Sequence, residues 1–153
     1  MKKLTQVIQS LTASAPHFEL SNKDISKASV GWHIAHSYLV ITSIVTVLKK
    51  SNPADYKWKF SLPHLYVLIR GDFPRGQGKA PERVIPREEI NTEVLQRYAD
   101  QTTEALAELP SLPVNAHFKH PYFGLLNKKA TIRFLEIHTK HHGKIIEDII
   151  GKG

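Results

Sequence analysis

Apolar residues recur every three or four positions in five segments of the chain, which is the spacing of amphipathic helices. Ser61 and Asn91 stand where helix-capping side chains are expected, and Gly71 and Gly151 suit left-handed helix ends. No segment shows the strict alternation typical of a strand, and there is no internal repeat, so the pattern predicts a compact all-α bundle. The segments predicted to be helical are 4–11, 29–50, 62–70, 92–109 and 127–151.

The last of these segments places two histidines inside its apolar face. On a helix of 3.6 residues per turn, His142 lies about 40° from His138 around the axis, on the same side as Phe134 and Ile149. Residues at i and i+4 point the same way, so one helix offers two imidazole nitrogens to a single metal ion. The alternative is that each ring is a core histidine satisfied by a backbone carbonyl or a buried water.

The segment 29–50 carries two more histidines close to its start. His33 and His36 are separated by about 60° around the helix axis, and both lie on its apolar side. Either is a candidate third metal ligand, and helical geometry does not choose between them. The segment is long enough to cross a bilayer, but the other segments are amphipathic and a solitary span with buried imidazoles would be costly. We therefore expect no membrane span and no membrane partner.

The composition restricts the possible chemistry. The 153 residues suit one ordinary domain, so a single domain over 1–153 is expected. The absence of cysteine excludes disulfides, thiolate metal sites and cysteine nucleophiles, and leaves nine histidines as the main nitrogen ligands.

Gln6, Gln9 and Ser10 interrupt the apolar run that a secretion signal needs, so we expect a soluble cytoplasmic protein.

A net charge of +7 suggests an anionic partner. The basic residues are spread along the chain, however, and no recognition motif with interleaved aromatic residues is present, so nucleic acid is an unlikely principal partner. The segment 71–86, which holds Arg75, Lys79 and Arg83 among three prolines and three glycines, is predicted to be a loop. We expect a solvated crossover; the alternatives are a cover for a site or a receptor for an anionic group.

The connection before the last helix contains His117 and His120. Pro121 disfavours helix at His120, and Gly124 supplies a turn, so we expect an irregular connection with solvent-facing histidines. Ligation of a metal by His117 or His120 is the alternative.

Three motifs in this order and spacing resemble the DinB-like superfamily of metal-binding four-helix bundles, in particular one of its branches of unknown function. They are Ala28–His36, His120–Gly124 and Ile137–Ile146. The resemblance covers nearly the whole chain. It implies a four-helix bundle of DinB type with a short extra helix and a long crossover loop.

The resemblance also implies a metal site. In that family an i, i+4 histidine pair of the late helix and one histidine of the second helix converge on a divalent metal, often zinc or nickel. His138 and His142 match the pair, and His36 matches the earlier ligand better than His33 does. Characterised relatives include thiol-dependent transferases and isomerases, but this chain shows no recognisable thiol-cofactor site.

Three imidazoles leave at least one coordination position open, as in catalytic zinc sites. The leading hypothesis is therefore a metal-dependent enzyme, a hydrolase or a thiol-dependent group transferase, acting on an unidentified small molecule. Ser37, Tyr38 and Asn127 are near the histidines in sequence and are candidates to orient them. No general base is predicted, because Glu136 and Glu147 face away from the apolar side.

Two rival hypotheses come from other classes of protein. In the first, the chain is a non-catalytic bundle, with a homodimer as one possibility, whose metal or polar core only fixes the packing. In the second, the basic loop 71–86 makes it an anion- or nucleic-acid-binding module.

Overall fold

The computed structural model describes residues 1–75 and 80–151. Within those residues the α-helices are α1 Lys2–Ala13, α2 Val30–Lys50, α3 Leu62–Arg70, α4 Thr92–Glu108 and α5 Lys128–Gly151. Two short strands, β1 His117–His120 and β2 Gly124–Asn127, precede α5. Single 3-10 turns lie in the connections, at Ala15–His17, Pro53–Asp55, Glu82–Val84 and Leu109–Ser111.

The four longer helices form the bundle, and α3 is the short extra helix. α2 packs against both α4 and α5, and α1 packs against α5. α2 supplies much of the core because its side chains are apolar on most of its circumference, and Ile34 and Ile41 are completely buried. Only Val67 of α3 is buried. The predicted all-α bundle with a short extra helix is confirmed, apart from the small two-stranded sheet described below.

The helix ends follow local sequence signals. The side-chain oxygens of Ser29, Ser61 and Asn91 each accept a hydrogen bond from the backbone amide three residues later, which satisfies a free donor of the first helical turn. Gly71 ends α3 in the left-handed conformation, with φ of 66°, where a side chain would be strained.

α2 is the single helix in the described part of the chain that is long and apolar enough to cross a membrane. Of its most apolar window, 67% is buried inside the protein. Its apolar character is therefore accounted for by the core of the bundle.

The prediction of an irregular connection at 115–127 is wrong. β1 and β2 pair antiparallel, with His117 opposite Asn127 and His120 opposite Gly124, and Gly124 takes a positive φ of 77° at the turn. Phe118 and Leu126 form a paired position that is buried against the core. The strands have only four residues each, too few for an alternating pattern to be distinguished in the sequence.

Gly31 allows two connections to lie directly against the first turn of α2. A Cβ atom at this position would stand 2.8 Å from Cγ2 of Ile90 and 2.9 Å from the carbonyl oxygen of Phe18. The same carbonyl accepts a hydrogen bond of 2.9 Å from the Gly31 amide. The close approach therefore joins the start of α2 to the segment that precedes it.

We expect Gly31→Ala to lower the free energy of unfolding by about 1–3 kcal/mol, because the added methyl group overpacks this contact. Gly143→Ala in α5 is the matched control. No atom lies within 4 Å of a Cβ at Gly143, so alanine there should stabilise the helix by about 0.5–1 kcal/mol. Urea denaturation of the metal-free proteins measures both changes, and equal effects at the two positions would contradict the assigned close approach.

Candidate metal centre

α2 and α5 together bring three imidazoles to one place. His36 comes from α2, and His138 and His142 come from successive turns of α5. One nitrogen of each ring lies within 4.8 Å of the corresponding nitrogens of the other two. An ion bonded to two nitrogens at 2.0–2.1 Å separates them by about 3–4 Å, so the three stand close to the spacing that a shared ion imposes.

The three rings lie in largely apolar surroundings. His36 and His142 are 4% and 8% exposed, whereas His138 is only partly buried. Burial lowers the pKa of all three rings because an imidazolium ion loses hydration there. Neighbouring histidines lower the pKa of His138 and His142 further. The rings are therefore neutral near pH 7, which is the form that binds metal.

His36 is oriented by a backbone carbonyl from the 71–86 loop. Its Nδ1 lies 2.8 Å from the carbonyl oxygen of Val84, which is itself buried. A carbonyl only accepts hydrogen bonds, so Nδ1 of His36 carries the proton and Nε2 keeps its lone pair. The loop thus fixes the tautomer of His36 that offers Nε2 to a metal.

His33 lies beside the group of three. Its Nδ1 is 2.9 Å from Nδ1 of His142, and its Nε2 is 2.9 Å from the hydroxyl oxygen of Ser26. Burial lowers the pKa of His33 to about 4, with further lowering by His36, His141 and Arg75 nearby. The structure therefore places His36 in the convergent group and gives both nitrogens of His33 other partners.

At least one buried nitrogen of the cluster lacks a partner among the described residues. Nδ1 of His138 is buried and makes no hydrogen bond there. Leaving such a group unsatisfied costs about 1–3 kcal/mol, a cost that an added ligand or a buried water beside it would remove. The donor set, three neutral imidazoles without thiolate, suits zinc and nickel. The residues present thus fit a divalent metal ion.

Aromatic side chains enclose the imidazoles. Trp32 stacks on His36 with ring centroids 4.8 Å apart and planes inclined by 12°. Phe134 lies 5.7 Å from the ring of His138, and Phe73 of the 71–86 loop lies 6.2 Å from it. These rings keep much of the surrounding space apolar, which strengthens polar interactions inside the site.

An ion pair attaches the start of the same loop to α5. His141 places Nδ1 2.9 Å from one carboxylate oxygen of Asp72, and Lys144 donates to the other. Burial raises the pKa of the Asp72 carboxyl group, but the hydrogen bonds from Lys144 and His141 outweigh it and hold the pKa at about 2. Asp72 is therefore ionised, and its contacts with α5 hold Phe73, the next residue, beside His138.

The basic residues of the loop serve different contacts. Arg75 forms an ion pair of 2.7 Å with Asp148 of α5, so its charge is already partly compensated. The side chain of Arg83, in the 3-10 turn Glu82–Val84, is exposed. Lys79 lies outside the described residues. Anion or nucleic-acid binding by this loop stays a prediction.

Other predicted candidates have structural contacts instead. Nδ1 of His120 accepts hydrogen bonds from the amides of Tyr122 and Phe123 in the hairpin turn. Nδ1 of His117 faces the carbonyl of Asn115. Neither belongs to the convergent group.

Ser37, Tyr38 and Asn127 were expected to orient the histidine rings, but their recorded hydrogen bonds are with other groups. Ser37 donates to the carbonyl of His33, and the hydroxyl of Tyr38 pairs with Thr12. Asn127 caps the first turn of α5. His36 instead contacts the carbonyl of Val84, which is distant in sequence, and Ser26 contacts the neighbouring His33.

Comparison with known proteins agrees with this geometry. The family model of the DinB superfamily matches residues 2–146, nearly the whole chain. The chain belongs to the DinB superfamily. No curated protein and no solved structure gives a significant match.

His120 provides a pH test of the metal-free protein. Burial, with a smaller effect of His64, lowers its pKa from 6.5 to about 4. Between these values the unfolded chain binds a proton that the folded chain does not, so the stability present above pH 6.5 is lost as the pH falls toward 4. Replacing His120 by Asn, which keeps an acceptor for the turn amides, should reduce the slope of unfolding free energy against pH by up to about 1.4 kcal/mol per pH unit.

Chemical denaturation between pH 4 and 7, with chelator present throughout, measures this slope for both proteins. Parallel curves for wild type and His120→Asn would contradict the assigned pKa.

Proposed function

We propose that this DinB-superfamily protein is a divalent-metal-dependent enzyme in which His36, His138 and His142 hold the metal. The observation that carries the proposal is the convergence of three ring nitrogens from two helices within 4.8 Å of one another. Helices are rigid supports, so the rings need little reorganisation to share an ion. Three protein ligands are the usual complement of catalytic zinc sites, whereas structural zinc sites have four.

Zinc or nickel is the proposed ion, because neutral imidazole suits both metals and no thiolate is present. When bound, such an ion would supply a Lewis acid with coordination positions open to water or to a thiol. The reaction proposed is accordingly hydrolysis or thiol-dependent group transfer on a small molecule.

The protein's own residues prepare the site in three ways. The Val84 carbonyl orients His36, as described above. Trp32 and Phe73 cover the imidazoles with apolar surface and so limit access of bulk water. Three protein ligands would leave a coordination position for a substrate, which favours a catalytic site over a closed structural one.

Metal analysis tests ligand identity. Protein purified without an affinity tag should contain about one equivalent of divalent metal. His138→Ala should lose most of it, because the substitution removes one of the three proposed ligands. His17→Ala, which alters an exposed histidine, is the control and should keep the metal. Equal and negligible metal in wild type and His138→Ala would end the proposal.

The open coordination position is tested with cobalt, whose visible spectrum reports ligand changes. A small thiol added to the Co²⁺-substituted protein should produce new absorption bands, because a free position allows the sulfur to bind. A spectrum that is unchanged at saturating thiol, together with a large loss of thermal stability on chelation, would favour the structural metal instead.

A further inference from the structure

We propose that His33 is a positioning residue for His142: it accepts the Nδ1 proton of His142 and thereby directs the other nitrogen of that ring to the metal. Ser26 in turn contacts the second nitrogen of His33 and accepts the proton that this arrangement leaves there. The inference rests on the proposed metal site and names residues outside the three ligands.

The contacts form a continuous chain from a connection to the site. The two Nδ1 atoms of His33 and His142 are 2.9 Å apart, and the second nitrogen of His33 is 2.9 Å from the Ser26 hydroxyl oxygen. These are hydrogen-bond distances. His33 and His142 are 4% and 8% exposed, so water has little opportunity to replace either contact.

The chemistry of neutral imidazole determines how the protons are arranged. Each neutral ring has one N–H, so two facing Nδ1 atoms form a hydrogen bond only when one of them carries its proton there. If His142 is to offer Nε2 to a metal, its proton must be on Nδ1. His33 then accepts at Nδ1, carries its own proton on Nε2, and donates it to Ser26.

The opposite arrangement is incompatible with a metal. If His33 donated from Nδ1, His142 would carry its proton on Nε2, which would block that nitrogen. Metal binding therefore makes His33 an acceptor, the same role that the Val84 carbonyl plays for His36. Acceptors behind metal-bound imidazoles fix ring orientation and raise ligand basicity.

Ser26 is held firmly enough to serve this purpose. Its amide donates to the carbonyl of Asn22, and its hydroxyl oxygen also accepts from the amide of Ala28. The same connection is joined to α2 by backbone hydrogen bonds from Val30 and Gly31. The serine therefore has a defined position relative to the first turn of α2.

Zinc affinity of the full chain, measured by competition with a chromophoric chelator, tests the inference. His33→Leu removes the acceptor and should weaken zinc binding by about 10–100-fold. His33→Asn has nearly the same shape as leucine but keeps an oxygen near the Nδ1 position, so it should recover most of the affinity. Ser26→Ala should weaken binding less than His33→Leu.

His17→Leu is the matched control for the histidine-to-leucine change at an exposed position, and it should bind zinc as wild type does. Thermal unfolding of each metal-free variant shows whether it is folded. A purely structural role would not distinguish His33→Asn from His33→Leu, so equal affinities in these two variants would overturn the inference.

Two further results would overturn it separately from the proposed function. Wild-type affinity in His33→Leu, with binding still lost in His138→Ala, would remove the role of His33 and leave the metal site intact. A zinc-bound crystal structure with a His33 nitrogen at the bonding distance of about 2.0–2.1 Å would make it a ligand instead. Absence of zinc binding in wild type would remove both proposals together.

Discussion

Imidazole rings buried between two apolar helices must find polar partners, and this requirement governs the arrangement around α2 and α5. Burying a hydrogen-bonding group without a partner costs kilocalories, a substantial fraction of the stability of a domain this size. The protein satisfies the requirement differently for each ring. His36 has a backbone carbonyl, His142 has another imidazole, and one nitrogen of His138 has no described protein partner. The described residues therefore leave the burial of that His138 nitrogen without a compensating hydrogen bond.

The helices and the connections contribute different parts of the site. The helices supply the ligands, because rigid supports keep ring nitrogens at a constant separation. The connections supply the acceptors: Ser26 lies in the segment before α2, and Val84 lies in the 71–86 loop. Gly31 and Asp72 hold these connections to the bundle, one by close backbone contact and the other by an ion pair with α5. Val84 therefore contacts His36 through one hydrogen bond, and Ser26 is linked to His142 through His33.

Membership of the DinB superfamily agrees with the site but does not choose a reaction. The features that bear on reactivity belong to this chain: three neutral imidazoles, an aromatic enclosure and partial exposure at His138. Together they describe a group of neutral imidazoles in largely apolar surroundings, where polar interactions are stronger than in water.

Local sequence signals determined the helices and placed two of the three clustered histidines. The 3.6-residue period located all the longer helices, Ser61 and Asn91 marked helix starts, and the i, i+4 spacing already put His138 and His142 on one face. Those signals act within a few residues, so the sequence alone is enough to detect them. The β-hairpin was missed because strands of four residues carry too little alternation.

The tertiary structure decided which imidazole of α2 completes the group. His33 and His36 lie on the same apolar side of the helix. Only the packing of α2 against α5 shows that His36 lies near both His138 and His142, whereas His33 forms a hydrogen bond with His142 alone. The hydrogen-bond partners of the α2 histidines, Val84 and Ser26, could not be predicted from the sequence either. Each lies in a connection whose path depends on the assembled bundle. Sequence periodicity specifies directions around one helix axis, whereas convergence at a point depends on the relative placement of separate elements, which only long-range packing sets.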